Sequence, residues 1–179
     1  MKKPSFKDFE TLLTANHGQI SEEFMDFLKK SGYFDCPASV GHHNNSDGGL
    51  LDHSIAVAET LLVLTQRNNL RWSRPGSPVI IGLFHDLCKL EAYEKDYAND
   101  GWIYAENRNQ LYTGHGEKSV LMLAPWLPLT AEEVACIRWH MGAFDEKENW
   151  SHYTAAVRKF PNVLWTHQAD MIAAHILQR

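Results

Sequence analysis

Residues 77–93 read SPVIIGLFHDLCKLEAY. Ser77-Pro78 is a helix start, because proline at the first helical position has no N–H to leave unpaired and its fixed φ suits the helix. The residues after it are apolar as far as Phe84 and, after the His85-Asp86 interruption, again at Leu87 and Leu90. That run reads as one buried helix. A buried strand is the alternative for VIIGLF alone, but no alternation of strands and helices surrounds it. The pair His85-Asp86 then sits in an apolar setting. An isolated buried carboxylate is unfavourable by at least several kcal/mol. A metal cation is the simplest partner; a buried His–Asp hydrogen bond, or an Asp reaching a helix end, is the other reading.

The flanking sequence is helical too. Phe6, Phe9, Leu12 and Leu13 share one face of a helix over 5–17. Ser21 caps a second helix that ends at Gly32. A loop rich in Gly, Ser, Asn and Pro precedes a long helix from about Leu50 to Asn68. A short helix opens just after His115 and runs to Leu127. Thr130-x-x-Glu133 is a capping box, with Leu129 and Val134 as its staple, and starts a helix running to His140. Helices over 152–160 and 162–178 are divided by Pro161. Residues 94–113 lack helical period; WIYAE and QLY on either side of Asn107-Arg108-Asn109 predict a small β-hairpin near 100–113. The expectation is an all-α helical bundle, one domain over 1–179, with that hairpin as its only strands.

The chain has 179 residues, 44% of them hydrophobic, 22% charged, and a net charge of −5. It is long enough to bury a core without disulfides. Cys36, Cys88 and Cys136 form no Cys-x-x-Cys pair, which argues against a thiolate zinc site and for a reduced, cytoplasmic setting. The N-terminal MKKPSFKDFE has no apolar core of a signal peptide, and no run is long enough to span a membrane. A long nucleic acid calls for a basic surface, so the acidic balance leans away from one. It leaves room for a small anionic substrate whose charge a bound metal meets.

Histidine is abundant, at ten residues. His53 lies in GGLLDHS on the long apolar helix, where a lone histidine reads more often as core than as ligand. Asp170 lies in VLWTHQADMIAAHIL, where an Asp–Arg or Asp–His pair would also serve. His115, in GHGEKS, and His140, in IRWHMG, are individually weak. Together they form an ordered set, His53, His85-Asp86, His115, His140 and Asp170, spread over several helices. Helical bundles build metal sites in this way, from inward-facing side chains. Imidazole with carboxylate suits Mn, Fe, Zn, Ni or Co, with Mg a further possibility.

This ordered set, in its GGLLDHS and LFHDLCK contexts, resembles the HD superfamily of metal-dependent phosphohydrolases. The resemblance covers roughly residues 36–175. It implies metal ligation by His53, His85, Asp86 and Asp170. It implies a second metal through His115 and His140, with Asp86 as the bridge. PASVGHH, GGLLDHS, LFHDLCK and YTGHGEKS together are similar to the HD domain of certain bacterial 3′–5′ exoribonucleases. Those enzymes carry an OB-fold in front, and the roughly 35 residues here are too few for one. Cys88 also stands where that motif usually has Gly.

The implied chemistry is hydrolysis of a phosphate ester by a metal-activated water, with Asp86 and Lys89 as the catalytic pair. Lys89 lies one turn beyond His85 and either faces the same cleft, stabilising phosphoryl charge, or is a solvated lysine. Lys118, and more weakly Arg138, are candidates for phosphate contact; the alternative for each is surface charge. His42 and His43 either line the pocket mouth and touch substrate or belong to a solvated loop. His167 is a candidate to hydrogen-bond a ligand, while His17, His152 and His175 read as surface or structural. Trp126, Trp139 and Trp165 read as core. Trp102, Tyr104 and Tyr112 could stack a base or simply pack. The substrate expected is a small phosphorylated molecule, a nucleotide or short oligonucleotide, and a homo-oligomer is compatible. Two other readings use the same residues: a nucleotide- or metal-sensing module without turnover, and a di-iron oxygenase of the HD type.

Overall fold

The computed structural model describes residues 3–40, 46–105 and 114–179, apart from the Ala143 side chain. Among the described residues the chain forms eight α-helices and one two-stranded antiparallel sheet. The helices are α1 (Phe6–Ala15), α2 (Glu22–Lys30), α3 (Gly49–Asn68), α4 (Ser77–Phe84), α5 (His115–Leu123), α6 (Ala131–Arg138), α7 (Trp150–Lys159) and α8 (Asn162–Met171). The all-α expectation with a small hairpin therefore holds.

The capping signals act as read. Ser21 Oγ accepts the Phe24 amide at 3.1 Å. Glu22 and Glu23 in the first turn of α2 and Lys29 and Lys30 in its last turn suit the helix dipole. Thr130 and Glu133 form the capping box of α6, with Thr130 N–H donating to Glu133 at 2.8 Å. The fully buried Glu133 does more than cap. It accepts from Arg74 Nε at 2.7 Å, Arg74 Nη2 at 2.8 Å and Ser77 Oγ at 2.9 Å. One carboxylate thus pins the start of α6 to the start of α4.

Helix α3 is the centre of the bundle. Helix α4 lies along it so closely that a Cβ on Gly82 would stand 2.4 Å from Ala58 Cα, so only glycine fits. Helix α8 packs against both α3 and α6, and α5 crosses α6. The core between them is built from Leu50, Ile55, Leu61, Val79, Ile81, Leu83, Phe84, Ile137 and Val163 among others, all buried.

Two helix expectations need correction, and the hairpin is located more closely. The helix through 77–93 is not continuous. Helix α4 stops at Phe84, Asp86 adopts φ −107° and ψ 23°, and a 3-10 turn follows over Leu87–Glu91. The cause is an outside partner: Cys88 N–H donates to Ser119 Oγ of α5 at 3.1 Å, and Lys89 N–H bonds the Asp86 carbonyl only three residues back. The hairpin pairs Tyr93–Asp96 (β1) with Gly101–Tyr104 (β2), Tyr93 opposite Tyr104 and Lys95 opposite Trp102. Its turn is set by Asp96 Oδ1, which accepts from the Ala98 and Asn99 amides at 3.0 and 3.3 Å, and by Asp100 at φ 48°. The downstream strand read in QLY falls outside the described residues. The last helix, read as one unit over 162–178, changes at Ile172 into a wider π-helical stretch, Ile172–Leu177, closed by Gln178 at φ 55°.

Candidate metal centre

Four elements deliver five ionisable side chains to one buried place. His53 comes from α3 and Asp170 from α8. His85 and Asp86 follow the end of α4, and His140 follows the end of α6. Their exposures run from 0% for His85 and His140 to 6% for Asp170. The break after Phe84 lets two adjacent residues face the same point.

The geometry of the imidazoles defines the centre. His85 Nδ1 stands 2.9 Å from the Gly82 carbonyl and His140 Nδ1 2.7 Å from the Ile137 carbonyl. His53 Nδ1 stands 2.8 Å from the main-chain oxygen of Arg179. A carbonyl only accepts, so each of these nitrogens carries the proton. In a neutral ring the opposite nitrogen, Nε2, is then a bare lone pair. All three Nε2 atoms turn towards the carboxylates of Asp86 and Asp170. His53 Nε2 is 3.1 Å from Asp170 Oδ1 and 3.8 Å from Asp86 Oδ2. His85 Nε2 is 3.5 Å from Asp86 Oδ2 and 3.9 Å from Asp170 Oδ1. His140 Nε2 is 3.5 Å from Asp86 Oδ1. Neither His85 Nε2 nor His140 Nε2 has a hydrogen-bond partner, although both are fully buried. Bare lone pairs facing carboxylate oxygens repel unless a positive charge sits between them.

A divalent cation fits that demand. His53, His85 and Asp170 form one group of three donor atoms within 4.8 Å of one another, and His85, Asp86 and His140 form another. These buried groups can hold a metal ion. One imidazole nitrogen binds one ion, so His85 cannot complete both groups at once.

His85, Asp86 and Asp170 are held in the forms a cation needs, whereas His140 is shifted towards its protonated form. Burial pushes His85 down to about 4, outweighing the pull of Asp86, so its ring is neutral at pH 7. Burial by itself would raise Asp86, but Lys89 and the histidines hold its carboxyl well below the usual range. Burial opposes ionisation of Asp170 too, yet the neighbouring His53 and His85 bring it to about 2. For His140 the effect of burial is outweighed by Asp86, and its pKa is raised.

Lys89 is half-buried and its Nζ lies 2.6 Å from Asp86 Oδ2. It therefore faces the buried cluster rather than solvent. His115 stands exposed at the first turn of α5, with Nδ1 3.6 Å from Cys88 Sγ, and is in neither donor group. Lys118 is buried and its Nζ pairs with Glu91 at 2.8 Å. Arg138 pairs with Asp145 at 2.7 Å. His42, His43 and Tyr112 fall outside the described residues. His167 Nδ1 stands 2.8 Å from the His140 carbonyl, so it braces His140 through the main chain. His17, His152 and His175 are exposed. Two contributors carry no sequence signal: Ser119, which diverts the chain at Cys88, and Arg179, which holds His53.

Compared with family models, with curated proteins and with solved structures, the chain has no match in any of the three. No helix among the described residues is long and apolar enough to cross a membrane.

Proposed function

We propose that this chain is a metal-dependent phosphohydrolase of the HD type, acting on the phosphate ester of a nucleotide or a short oligonucleotide. The observation that supports this most is the set of Nδ1-anchored histidines turning bare Nε2 atoms onto Asp86 and Asp170. Nitrogen donors with two carboxylates and no thiolate favour manganese, iron, nickel, cobalt or zinc over magnesium.

His53, His85, Asp170 and Asp86 would hold a first ion, and His140 with Asp86 would hold a second. A bound divalent ion lowers the pKa of a water towards neutrality and clamps phosphoryl oxygens. The protein's own contribution is to hold His85, Asp86 and Asp170 deprotonated, to keep the centre dry and to place a charge beside it. Lys89 supplies that charge: burial disfavours it, but Asp86 outweighs this and raises its pKa, so the ammonium persists. It stabilises negative charge on the phosphoryl group and does not serve as a base. A net charge of −5 favours a small substrate over a long nucleic acid. The three buried free cysteines are in keeping with a cytoplasmic setting.

The test is hydrolysis of bis(p-nitrophenyl) phosphate and p-nitrophenyl phosphate with manganese, for the parent protein beside Asp86→Ala. Turnover that requires the metal and vanishes in the variant supports the reading and opens a nucleotide screen. Turnover unchanged in Asp86→Ala sinks it. No turnover with manganese, iron, nickel, cobalt or zinc moves the site to a sensing or oxygenase role.

A further inference from the structure

The three ligand histidines are not oriented in the same way. His85 and His140 lie at the ends of α4 and α6, where the last carbonyls of a helix have no intrahelical partner. Each gives Nδ1–H to the carbonyl three residues back, Gly82 at 2.9 Å and Ile137 at 2.7 Å. These bonds are local. His53 lies within α3, where the nearby carbonyls already accept from amides four residues on. It has no local acceptor, and its Nδ1 reaches Arg179 O at 2.8 Å, 126 residues away in sequence.

That oxygen is held by a specific arrangement. After α8 the π-helical stretch and the left-handed Gln178 turn the chain back, and Arg179 N–H bonds the Ala173 carbonyl at 3.0 Å. The Arg179 guanidinium donates to Asp52 at 2.8 Å and approaches Glu59 at 3.5 Å. Asp52 and Glu59 lie on the same helix as His53, on either side of it in sequence.

We infer that Arg179 is a positioning residue for the metal centre, which its main-chain oxygen governs by selecting the tautomer of His53. The inference rests on the metal-centre reading above. With Arg179 O in place, the proton stays on Nδ1 and Nε2 offers its lone pair to a cation. Without it, the competing tautomer carries the proton on Nε2 and donates it to Asp170 Oδ1, already 3.1 Å away. That tautomer withdraws His53 and one Asp170 oxygen from the metal together. Docking of Arg179 on α3 is thereby coupled to metal affinity.

The experiment compares the parent with a chain ended at Gln178, with Arg179→Ala, Arg179→Lys and Asp52→Asn. Cobalt(II) affinity is measured on metal-free protein by competition with a chromophoric chelator. The His53 tautomer is read in the same metal-free proteins by long-range proton–nitrogen NMR. The shortened chain is expected to bind cobalt about 10- to 100-fold more weakly, with the His53 proton moved to Nε2. Arg179→Ala and Asp52→Asn, which keep the oxygen but release its anchor, should fall in between, and Arg179→Lys should recover part of the loss. His53→Ala combined with the shortened chain should lose no more than His53→Ala alone. Should the shortened chain melt early, Arg179→Ala carries the test. Undiminished cobalt affinity with the proton still on Nδ1 overturns the inference. A parent protein that binds no cobalt overturns the metal reading instead, and the tautomer of the metal-free variants still decides the role of Arg179.

Discussion

His85 Nε2 and Asp86 Oδ2 lie 3.5 Å apart, although neighbouring residues on a regular α-helix point about 100° away from each other. The helix ends between them and the Asp86 backbone departs from helical geometry. Ser119 completes the break by taking the Cys88 amide. The dipeptide becomes a two-donor unit only because α5 intervenes.

The close crossing of α3 and α4 is what sets the His53 and His85 rings 5.3 Å apart. A methyl group on Gly82 would strike the Ala58 backbone at 2.4 Å and could not be relieved by a side-chain rotation. Gly82→Ala is expected to lower stability by about 1–3 kcal/mol and to weaken metal binding with it. Denaturant melts and cobalt titration check both. A variant as stable as the parent would show that the helices can separate at little expense.

If the centre holds a cation, ligand and stability are linked. A metal at a hundred times its dissociation constant stabilises by about 2.7 kcal/mol, which raises the melting temperature by roughly 5–11 °C at this chain length. Manganese or cobalt should produce that rise, a chelator should reverse it, and His85→Ala should abolish it. A melting temperature indifferent to every divalent metal would contradict the fit of His53, His85, Asp86 and Asp170 to a cation.

Much of this was legible before any coordinates. The capping box at Thr130, the glycine stops and the apolar run into Phe84 are local signals, and they set the helices. His53, His85, Asp86, His140 and Asp170 were legible as a set because buried ionisable residues in apolar helices need partners, and the partners turned out to be one another. Residues whose reasons are tertiary stayed hidden. The early end of α4 depends on Ser119, and the orientation of His53 depends on Arg179; no pattern within either segment announces it. The hairpin was legible through WIYAE, which supplies β2, but its partner β1 and the Asp96–Asp100 turn lie upstream of the stretch that was read, while Asn107-Arg108-Asn109 falls outside the described residues. His115 matched by order in the chain, yet it stands outside both donor groups.

The cysteines yield a prediction free of the metal. Burial pushes the Cys36 and Cys136 thiols up to about 12 from 9.0. Both should resist alkylation at pH 8 until the protein is unfolded. A folded pKa above the unfolded one gives stability that is full below pH 9 and is lost as pH climbs from 9 towards 12. The loss is about 1.4 kcal/mol per pH unit for each thiol. Cys136→Ala should flatten that alkaline decline in urea midpoints. Fast native-state alkylation of Cys136 would mean that the α6 core opens readily.

On the proposed reading, Lys89 separates catalysis from metal binding. Its ammonium sits 2.6 Å from Asp86 Oδ2, the same oxygen that faces His53 and His85. If the chain is the proposed hydrolase, it competes with a cation for that oxygen while supplying charge to a phosphoryl group. Lys89→Met removes both effects. Hydrolysis should fall about 10²- to 10³-fold, as when a preorganised donor to the transition state is lost. Metal affinity should stay level or tighten, because Asp86 is released to the ion. Isothermal titration of the metal-free variant beside its kcat distinguishes the outcomes. If affinity and turnover fall together, Lys89 holds Asp86 in place for the metal and has no separate part in the chemistry.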